Sequence, residues 1–540
     1  MRRAAIAAAV LSVSTLSAQQ SAPGIGSIKK EEMRADLFFL ASDGMQGRLT
    51  DTPENKLAAE WIAARFARLG LKPAGDEGTF YQTFNLVTAS RGDGNALALR
   101  ASALSTDGSP STADEFHPLR FSASSKASGE VVFAGFGITS PPRGYDDYGG
   151  DIKGKVVLAL DHEPGEADPN SPFDGIVTSQ VADQLWKTLA AQEKGAVAIL
   201  FVRDVHNHPD PFDFARASAG YWPTQPSRIP RYMLGAWVER VRIPALQIAP
   251  ALAARLLQPS GRQLADLAKA SESPKGSAPI PLGTFVDVST SVTRTIVPDR
   301  NVVALLEGSD PNLRDELVVV CAHYDHDGVN GADVLNGADD DGSGTVGVME
   351  IAEAFAEAAA QGHRPRRSIL LAAWNSEERG LFGAWAYTED PIRPLDRVVA
   401  VLNMDMIGRN EEVPESGGGR FRGLEAQTAE SNANAINIIG TTRSASLKEA
   451  IERANGEIGL TLRLRYDNNA SQLMRRSDHW PFLNRGVPGV WFHTGLHPDY
   501  HTPNDDPERI KYDKMEKIAR LVYQSAWDLA SSSSRPVLDR

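Results

Sequence analysis

Near-continuous apolar runs in the C-terminal half of the chain alternate with segments of helical periodicity. The runs are LVVVCAHYD, SILLAAWNSEE, VVAVLNMDM and PGVWFHTG. Such runs are typical of parallel strands buried on both faces. Between and after them, GVMEIAEAFAEAAAQG and KMEKIARLVYQSAWDLA carry apolar residues at helical spacing. We predict an α/β fold in three layers, with a mostly parallel central sheet between layers of helices.

An amphipathic helix is predicted near the start of the chain. The segment KLAAEWIAARFARLG has apolar residues three and four positions apart. Its predicted apolar face consists of Leu57, Trp61, Ile62, Phe66 and Leu69.

The middle of the chain has its own strands and helices, including the runs VVFAGFGI, KVVLAL and AVAILFV. The stretch from about 89 to 128 and the segment QPSGRQLADLAKASESPKGSAPIP carry little periodicity, so we interpret them as loops and linkers. A chain of 540 residues also exceeds the roughly 250–300 residues of a single core. We predict a catalytic domain at 28–110 and 284–530 that is interrupted by an inserted β-rich domain at 125–258.

The composition narrows the classes of partner and compartment. A formal charge of −13 argues against nucleic acid or an anionic membrane as a partner. Arg2 and Arg3 precede a short apolar stretch and then small residues, which predicts a signal peptide at 1–18 and an exported protein. No other apolar stretch is long enough to predict a transmembrane segment. With one cysteine, Cys321, no intrachain disulfide is possible.

Candidate metal ligands follow the apolar runs. Because the carboxyl ends of parallel strands meet at one edge of a sheet, residues at these ends should lie close together. Imidazoles and carboxylates are ligands of Zn²⁺, and a shared carboxylate can hold two ions. The candidates are His323, Asp340, Glu377, Glu378, Asp405 and His501.

Each of these residues also has a structural interpretation when it is taken singly. An acid at a strand end is commonly a turn residue or a helix N-cap, and Asp339 and Asp341 fit that role. The concurrence of six polar positions at one edge favours a metal centre. The histidines of polar loops are instead assigned to the surface: His162, His206, His208 and His363.

Six ordered segments resemble those of the secreted dizinc aminopeptidase family, whose relatives include glutamate carboxypeptidases and the transferrin receptor. The segments are HYDH, NGADDDGSGT, WNSEERGLFGA, NMDMIG, SDHWPF and DYHTPNDD. The resemblance covers about 28–86 and 284–530. The inserted stretch resembles a protease-associated domain.

The resemblance implies two Zn²⁺ ions. Asp340 would bridge them, His323 and Asp405 would complete one, and Glu378 and His501 the other. It also implies a cis peptide bond between Asp340 and Asp341.

Three further roles are implied by the resemblance. Glu377 would be the general base acting on a metal-bridging water. Asp325 would orient the imidazole of His323. Tyr500 would donate a hydrogen bond to the developing oxyanion.

We therefore predict a zinc exopeptidase, most simply an aminopeptidase acting on peptides or small proteins. A carboxypeptidase or dipeptidase on the same scaffold stays open, since Arg475 and Arg476 could bind a substrate carboxylate. A non-catalytic, receptor-like binding protein is the alternative from another class, and the presence of all five ligands and the base argues against it. Oligomeric state and side-chain specificity are left open.

Overall fold

Two large sheets organise the chain, and the computed structural model describes them within residues 21–104, 109–112 and 114–539. The predicted signal peptide lies outside these residues. The strands are β1 Lys72–Pro73, β2 Tyr81–Arg91, β3 Ala96–Arg100, β4 Ser109–Pro110, β5 Phe116–Pro118, β6 Lys126–Phe133, β7 Thr139–Ser140, β8 Tyr145–Asp146, β9 Val156–Leu160, β10 Ala198–Val202, β11 Met233–Leu234, β12 Ala245–Ile248, β13 Ile280–Ser289, β14 Val292–Leu306, β15 Leu317–His323, β16 Val329–Asn330, β17 Asp333–Val334, β18 Ser368–Trp374, β19 Val398–Met404, β20 Ala435–Ile439, β21 Thr461–Arg463 and β22 Gly489–His493. The α-helices are α1 Lys30–Leu40, α2 Pro53–Arg68, α3 Gln184–Glu193, α4 Phe214–Tyr221, α5 Gly235–Val238, α6 Pro250–Leu257, α7 Leu264–Ala270, α8 Gly344–Ala360, α9 Phe382–Glu389, α10 Ala445–Ala454, α11 His479–Asn484 and α12 Tyr512–Ser531.

The main sheet is parallel in its centre and antiparallel at its sides. Its order is β11, β2, β14, β18, β15, β19, β22, β20 and β21, and β1 pairs with β14. The strands β18, β15, β19 and β22 run parallel to their neighbours in this series. The strands β14 and β20 join this group antiparallel on either side. The predicted α/β fold with parallel strands at its centre is confirmed.

Helices cover both faces of the main sheet. Along β15, Val318 and Val320 point into the core formed with α1, α8 and α12. Their neighbours Val319 and Cys321 point into the opposite core with α9 and α11. Because strand residues alternate between faces, a strand buried on both sides must be apolar throughout, which explains the continuous apolar runs. No helix among these described residues has both the length and the apolar composition needed to cross a bilayer.

Helix α2 has the predicted position but a different apolar face. Ile62 and Phe66 are fully buried, and Ala58 and Ala59 complete the face that packs on the main core. Leu57 is 47% exposed, so its predicted burial is wrong. The stripe of small alanines brings the helix axis close to the core, and this orientation leaves Leu57 toward solvent.

The second sheet has the order β4, β3, β13, β6, β9, β10, β12 and β5. This sheet includes β3 and β13, which lie before and after the predicted inserted domain at 125–258. The division into domains stays a prediction. We call residues 96–289, from the start of β3 to the end of β13, the second module.

Two stretches predicted as loops also contain regular structure. Strands β3 and β5 lie in the first, and helix α7 lies in the second because Leu264 and Leu267 are buried in the core of the second sheet.

The second module packs directly against the main sheet. Its short strand β11 pairs antiparallel with β2 of the main sheet. Beside it, the ring of Trp237 lies edge-on to Trp385, with 5.2 Å between their centroids. Aromatic contacts of this kind bury large apolar areas, so the two parts are held together by apolar packing as well as by the strand pairing.

A pair of substitutions on α2 tests which face of this helix packs on the core of the main sheet. Ile62→Ala removes fully buried atoms and should lower the free energy of unfolding by roughly 2–5 kcal/mol. Leu57→Ala on the same helix should change it by less than about 0.5 kcal/mol, because Leu57 faces solvent. Urea-induced unfolding followed by circular dichroism measures both. Equal losses for the two variants would contradict the observed orientation of the helix.

Candidate metal centre

The carboxyl edge of the parallel strands gathers the predicted site residues. Strand β15 ends at His323, Glu377 follows β18 by three residues, and Asp405 comes directly after β19. These three strands are neighbours in the main sheet. Two loops complete the site: Asp340 lies just before α8, and His501 lies in the loop after β22. Edges of this kind, outside the carboxyl ends of the strands, are where α/β sheets form their binding sites.

Asp340 lies at the middle of the cluster and faces two separate imidazoles. Its Oδ1 is 3.4 Å from Nε2 of His323, and its Oδ2 is 2.8 Å from Nε2 of His501. A carboxylate that presents one oxygen to each of two ligand sets has the arrangement needed to bridge two cations.

Each imidazole has a carboxylate of its own. Nε2 of His323 lies 3.8 Å from Oδ2 of Asp405, and Nε2 of His501 lies 3.2 Å from Oε1 of Glu378. The structure therefore brings the five predicted ligands together in the predicted pairs. Their role as ligands stays a prediction.

A third imidazole, that of His326, belongs to the same cluster and is absent from the sequence prediction. Its Nδ1 lies 2.9 Å from Oε1 of Glu378 and 3.9 Å from Oδ2 of Asp340, and its side chain is fully buried. Donor atoms of His326, Asp340, Glu378 and His501 all lie within 4.8 Å of one another. The second histidine of the HYDH segment was the signal that could have identified it.

The loop that carries Asp340 is held by a buried arginine. Arg48 donates from its guanidinium to the carbonyl oxygens of Leu40 at 2.8 Å, Asn336 at 2.7 Å and Gly337 at 3.0 Å. The peptide bond between Asp340 and Asp341 is cis, as the resemblance implied. Sequence reasoning missed Arg48, because nothing in its local pattern distinguishes it from a surface arginine.

Two aspartates lie next to the ring nitrogens that face away from Asp340. Oδ2 of Asp327 is 3.1 Å from Nδ1 of His501. Oδ1 of Asp325 is 3.6 Å from Nδ1 of His323 and accepts a hydrogen bond from the backbone N–H of Glu377 at 3.0 Å. Carboxylates in these positions fix the orientation of ligating imidazoles. The sequence analysis proposed this role for Asp325 and missed Asp327.

The donor set fits a cationic group. Nε2 of His323, Nε2 of His501 and Oε1 of Glu378 are buried, and they face other donor atoms of the cluster at close range without an aligned hydrogen bond among the described residues. Burial raises the pKa of Asp405 to about 7, while His323 lowers it and Asp340 raises it further. Buried carboxylates this close together repel one another unless cations balance them.

A cavity of about 250 Å³ opens beside these carboxylates. Glu377 lines it, and its Oε2 is 3.7 Å from Nε2 of His323. Burial raises the pKa of Glu377 well above its usual value, the imidazole of His323 opposes this, and Glu378 adds to it. Tyr500 lines the same cavity, and its hydroxyl accepts a hydrogen bond from Nη2 of Arg476 at 3.0 Å.

Several non-glycine residues around the site have a left-handed backbone conformation, and three of them lie at or next to predicted site residues. Ser376 has a φ of 58°, Met406 of 57° and His501 of 52°. Non-glycine residues rarely adopt this left-handed region, and such strain is concentrated at functional sites. Each of the three either is a predicted ligand or adjoins a predicted site residue.

The fold and the donor set define a candidate metal-dependent hydrolase. Residues 301–526 match the model of Peptidase family M28, over a segment that begins in β14 and ends in α12. Over this segment the chain is similar to a peptidase family, which agrees with the peptidase resemblance of the sequence analysis.

Curated relatives with similar sequences are peptidases by name. A probable zinc metalloprotease of Pyrenophora teres f. teres (strain 0-1) is 29% identical over 266 residues, which are 44% of this chain and 52% of that protein. Leucine aminopeptidase 2 of Trichophyton equinum is 28% identical over 196 residues, 36% of this chain and 33% of that protein. The chain spans about half the length of the first of these relatives.

Solved structures of similar architecture include two bacterial proteins. An aminopeptidase from Aneurinibacillus sp. strain AM-1 gives a TM-score of 0.46 at 17% identity and covers 96% of this chain and 97% of its own. A Peptidase M28 precursor from Shewanella amazonensis SB2B gives a TM-score of 0.44 at 19% identity, and the match covers 96% of this chain and 98% of that one.

The contact between Asp327 and His501 generates a test. Asp327→Asn removes the charge that holds the ring, and it should weaken metal binding by roughly 10- to 100-fold. Asp333→Asn is the matched control, because Asp333 is an exposed residue of the neighbouring β17. Zinc titration of the metal-free variants measures both affinities. An unchanged affinity in Asp327→Asn would mean that Asp327 does not support the centre.

Proposed function

We propose that this protein is a zinc-dependent exopeptidase, most simply an aminopeptidase that removes N-terminal residues from peptides. The observation that carries the proposal is the position of Asp340, which lines a small cavity and faces an imidazole and carboxylate pair on each side. The names of the relatives and the family match support the same reaction class.

The proposed centre holds two Zn²⁺ ions. His323, Asp405 and Asp340 would hold one, and Asp340, Glu378 and His501 the other, with His326 as a further donor on the second side. Zinc in such a site acts as a Lewis acid toward a peptide carbonyl and lowers the pKa of water.

Glu377 is proposed as the proton carrier. Its backbone N–H is fixed by Asp325, and its carboxylate lines the cavity beside His323, whereas its neighbour Glu378 turns toward His501 and His326. The carboxylate of Glu377 can therefore take a proton from water at the scissile carbonyl and return it to the departing amine. Tyr500 is positioned to donate its O–H toward the carbonyl oxygen, because Arg476 holds that hydroxyl at the cavity wall.

The cavity suits one substrate residue with an apolar side chain. Its volume is about 250 Å³, and its wall includes a group of apolar side chains. These are Leu381, Met406, Leu473, Trp491 and Leu496. A pocket of this small size favours cleavage at a chain end over cleavage within a chain, and the apolar part of its wall favours apolar side chains.

A carboxypeptidase is the second candidate, and Arg476 is the observation that favours it. The guanidinium lines the cavity and could bind a substrate carboxylate. We favour the aminopeptidase because one of the similar relatives is named a leucine aminopeptidase.

Two wider proposals concern the rest of the chain. We propose that the second module corresponds to a protease-associated domain that shapes access to the site, since its loop residues contact the segment around Gln472 beside the cavity. We propose that the protein is exported, on the pattern of residues 1–18.

Substitution of the two adjacent glutamates separates proton transfer from metal binding. Glu377→Gln keeps the shape of the side chain but removes the basic oxygen, so kcat should fall by ~10²–10⁴-fold with zinc content unchanged. Glu378→Gln should lose zinc, because a ligand is removed. Zinc content and kcat are measured on both proteins. Loss of zinc in Glu377→Gln alone would interchange the two assignments, and full turnover in both variants would refute the site.

Blocked peptides test the direction of cleavage. Acetylation of the N-terminus should prevent hydrolysis, because the free amine must bind beside the carboxylates of the cavity, whereas amidation of the C-terminus should not. Release of residues from matched peptides is followed by mass spectrometry. The reverse pattern would establish the carboxypeptidase. If neither peptide is cleaved, with or without added zinc, the exopeptidase proposal is wrong.

A further inference from the structure

A second group of metal-ligating side chains lies in the second module, away from the candidate centre. It consists of His162, Glu166 and His208, which we call the module cluster. Nδ1 of His162 is 3.1 Å from Oε2 of Glu166, and Nε2 of His208 is 2.7 Å from Oε1 of the same carboxylate. The two imidazole rings have their centroids 4.2 Å apart. The sequence analysis assigned both histidines to the surface, and the structure gathers them around one acid.

The topology of the second sheet explains why these residues meet. Strands β9 and β10 are parallel neighbours, with Leu160 paired to Val202 at their carboxyl ends. His162 follows β9 by two residues and His208 follows β10 by six. The module cluster therefore occupies the same kind of position in the second sheet that the candidate centre occupies in the main sheet.

A network of hydrogen bonds holds the two loops of the module cluster together. Glu272 accepts from the backbone N–H of Gly165 at 2.8 Å and from Nδ2 of Asn207 at 2.6 Å, so one side chain joins the loop of Glu166 to the loop of His208. Asp204 also accepts from Nδ2 of Asn207 at 2.8 Å. These two carboxylates hold the loops of the module cluster next to each other, and so keep His162 and His208 close together.

Two features of the histidines point to a ligand. His162 has a φ of 66°, in the left-handed region, and Lys187 donates to its carbonyl oxygen. Backbone strain that surrounding contacts maintain is a sign of a functional position. Nε2 of His208 is buried and has no aligned hydrogen bond among the described residues, although it lies beside Glu166.

We propose that His162, Glu166 and His208 form a separate metal site that takes a borderline divalent cation such as Zn²⁺. The donor atoms lie within 4.8 Å of one another. Bonds of ~2.0–2.2 Å to zinc place tetrahedral donors ~3.3 Å apart, so small side-chain movements close the site. Two nitrogen donors exclude a preference for Ca²⁺, which takes oxygen ligands.

A cation at this site would anchor the loop that reaches the wall of the peptidase cavity. That loop starts at the module cluster and continues to Ile176 and Thr178. The backbone N–H of Ile176 donates to Asn468 at 2.9 Å, and that of Thr178 donates to Gln472 at 2.9 Å. Nη1 of Arg475, which lines the cavity, donates to the carbonyl oxygen of Thr178 at 2.9 Å. The site is therefore structural, and its effect on the cavity is through the loop.

Zinc stoichiometry of the full-length protein tests the proposal. Metal-free wild type, His162→Gln and His208→Gln are equilibrated with buffered zinc and analysed for bound metal. His206→Gln is the matched control, because His206 is an exposed histidine of the same loop outside the module cluster. We expect both cluster variants to bind one equivalent less than wild type and His206→Gln, with excess Ca²⁺ unable to displace the zinc. Circular dichroism confirms that each variant is folded.

Hydrogen exchange of residues 174–178 is measured on the same proteins. Zinc should slow exchange there in wild type and in His206→Gln but not in the two cluster variants. Equal zinc content in all four proteins overturns the site, and identical exchange with and without zinc overturns the anchoring of the loop. The site lies outside the candidate centre, so a difference in zinc content between His206→Gln and His208→Gln is readable whether or not the protein is a peptidase.

Discussion

Buried negative charge at the carboxyl edge of the main sheet is the constraint on which much of the structure depends. Asp340, Glu377, Glu378 and Asp405 line one cavity, and Asp341 and Asp478 are fully buried next to them in the sequence or in the electrostatic field of the site. Such a cluster is costly to fold unless imidazoles, guanidinium groups and bound cations balance it. The carboxylate of Asp341 accepts hydrogen bonds from the backbone N–H groups of His323, Gly344 and Met406. These bonds offset part of its charge and hold three segments of the site together.

Sequence periodicity was sufficient for the central layers of the fold. The fully buried strand β15 and the helices α8 and α12 carry the apolar patterns that their burial requires, so the sequence predicts them with few alternatives. Short helices and strands were harder to predict from the sequence. Helix α7 is only seven residues long and lies in a polar stretch, so its two buried leucines did not stand out. The face of α2 was misjudged because small alanines, and not Leu57, define its contact with the core.

The candidate site was predictable where residues follow strand ends, and it was not where tertiary contacts alone bring residues in. His323, Glu377 and Asp405 are placed by the topology of a parallel sheet, which sequence patterns reveal. Asp327 and Arg48 reach the site through partners that are distant along the chain, such as Nδ1 of His501 and the carbonyl of Asn336. No local pattern marks such residues. His162 and His208 are a similar case, since their proximity depends on the pairing of β9 with β10.

The position of Arg48 in the sequence shows that the segment matched by the family model does not contain every residue that supports the candidate site. Arg48 sits more than 250 residues before the segment that the family model covers, yet it supports the turn immediately ahead of Asp340 from within the protein interior. A fragment cut to the boundaries of the family match would leave those carbonyl groups without a donor. The described segment that contains Arg48 is thus part of the candidate site by architecture, and any shortened version of the protein has to keep it together with the matched segment.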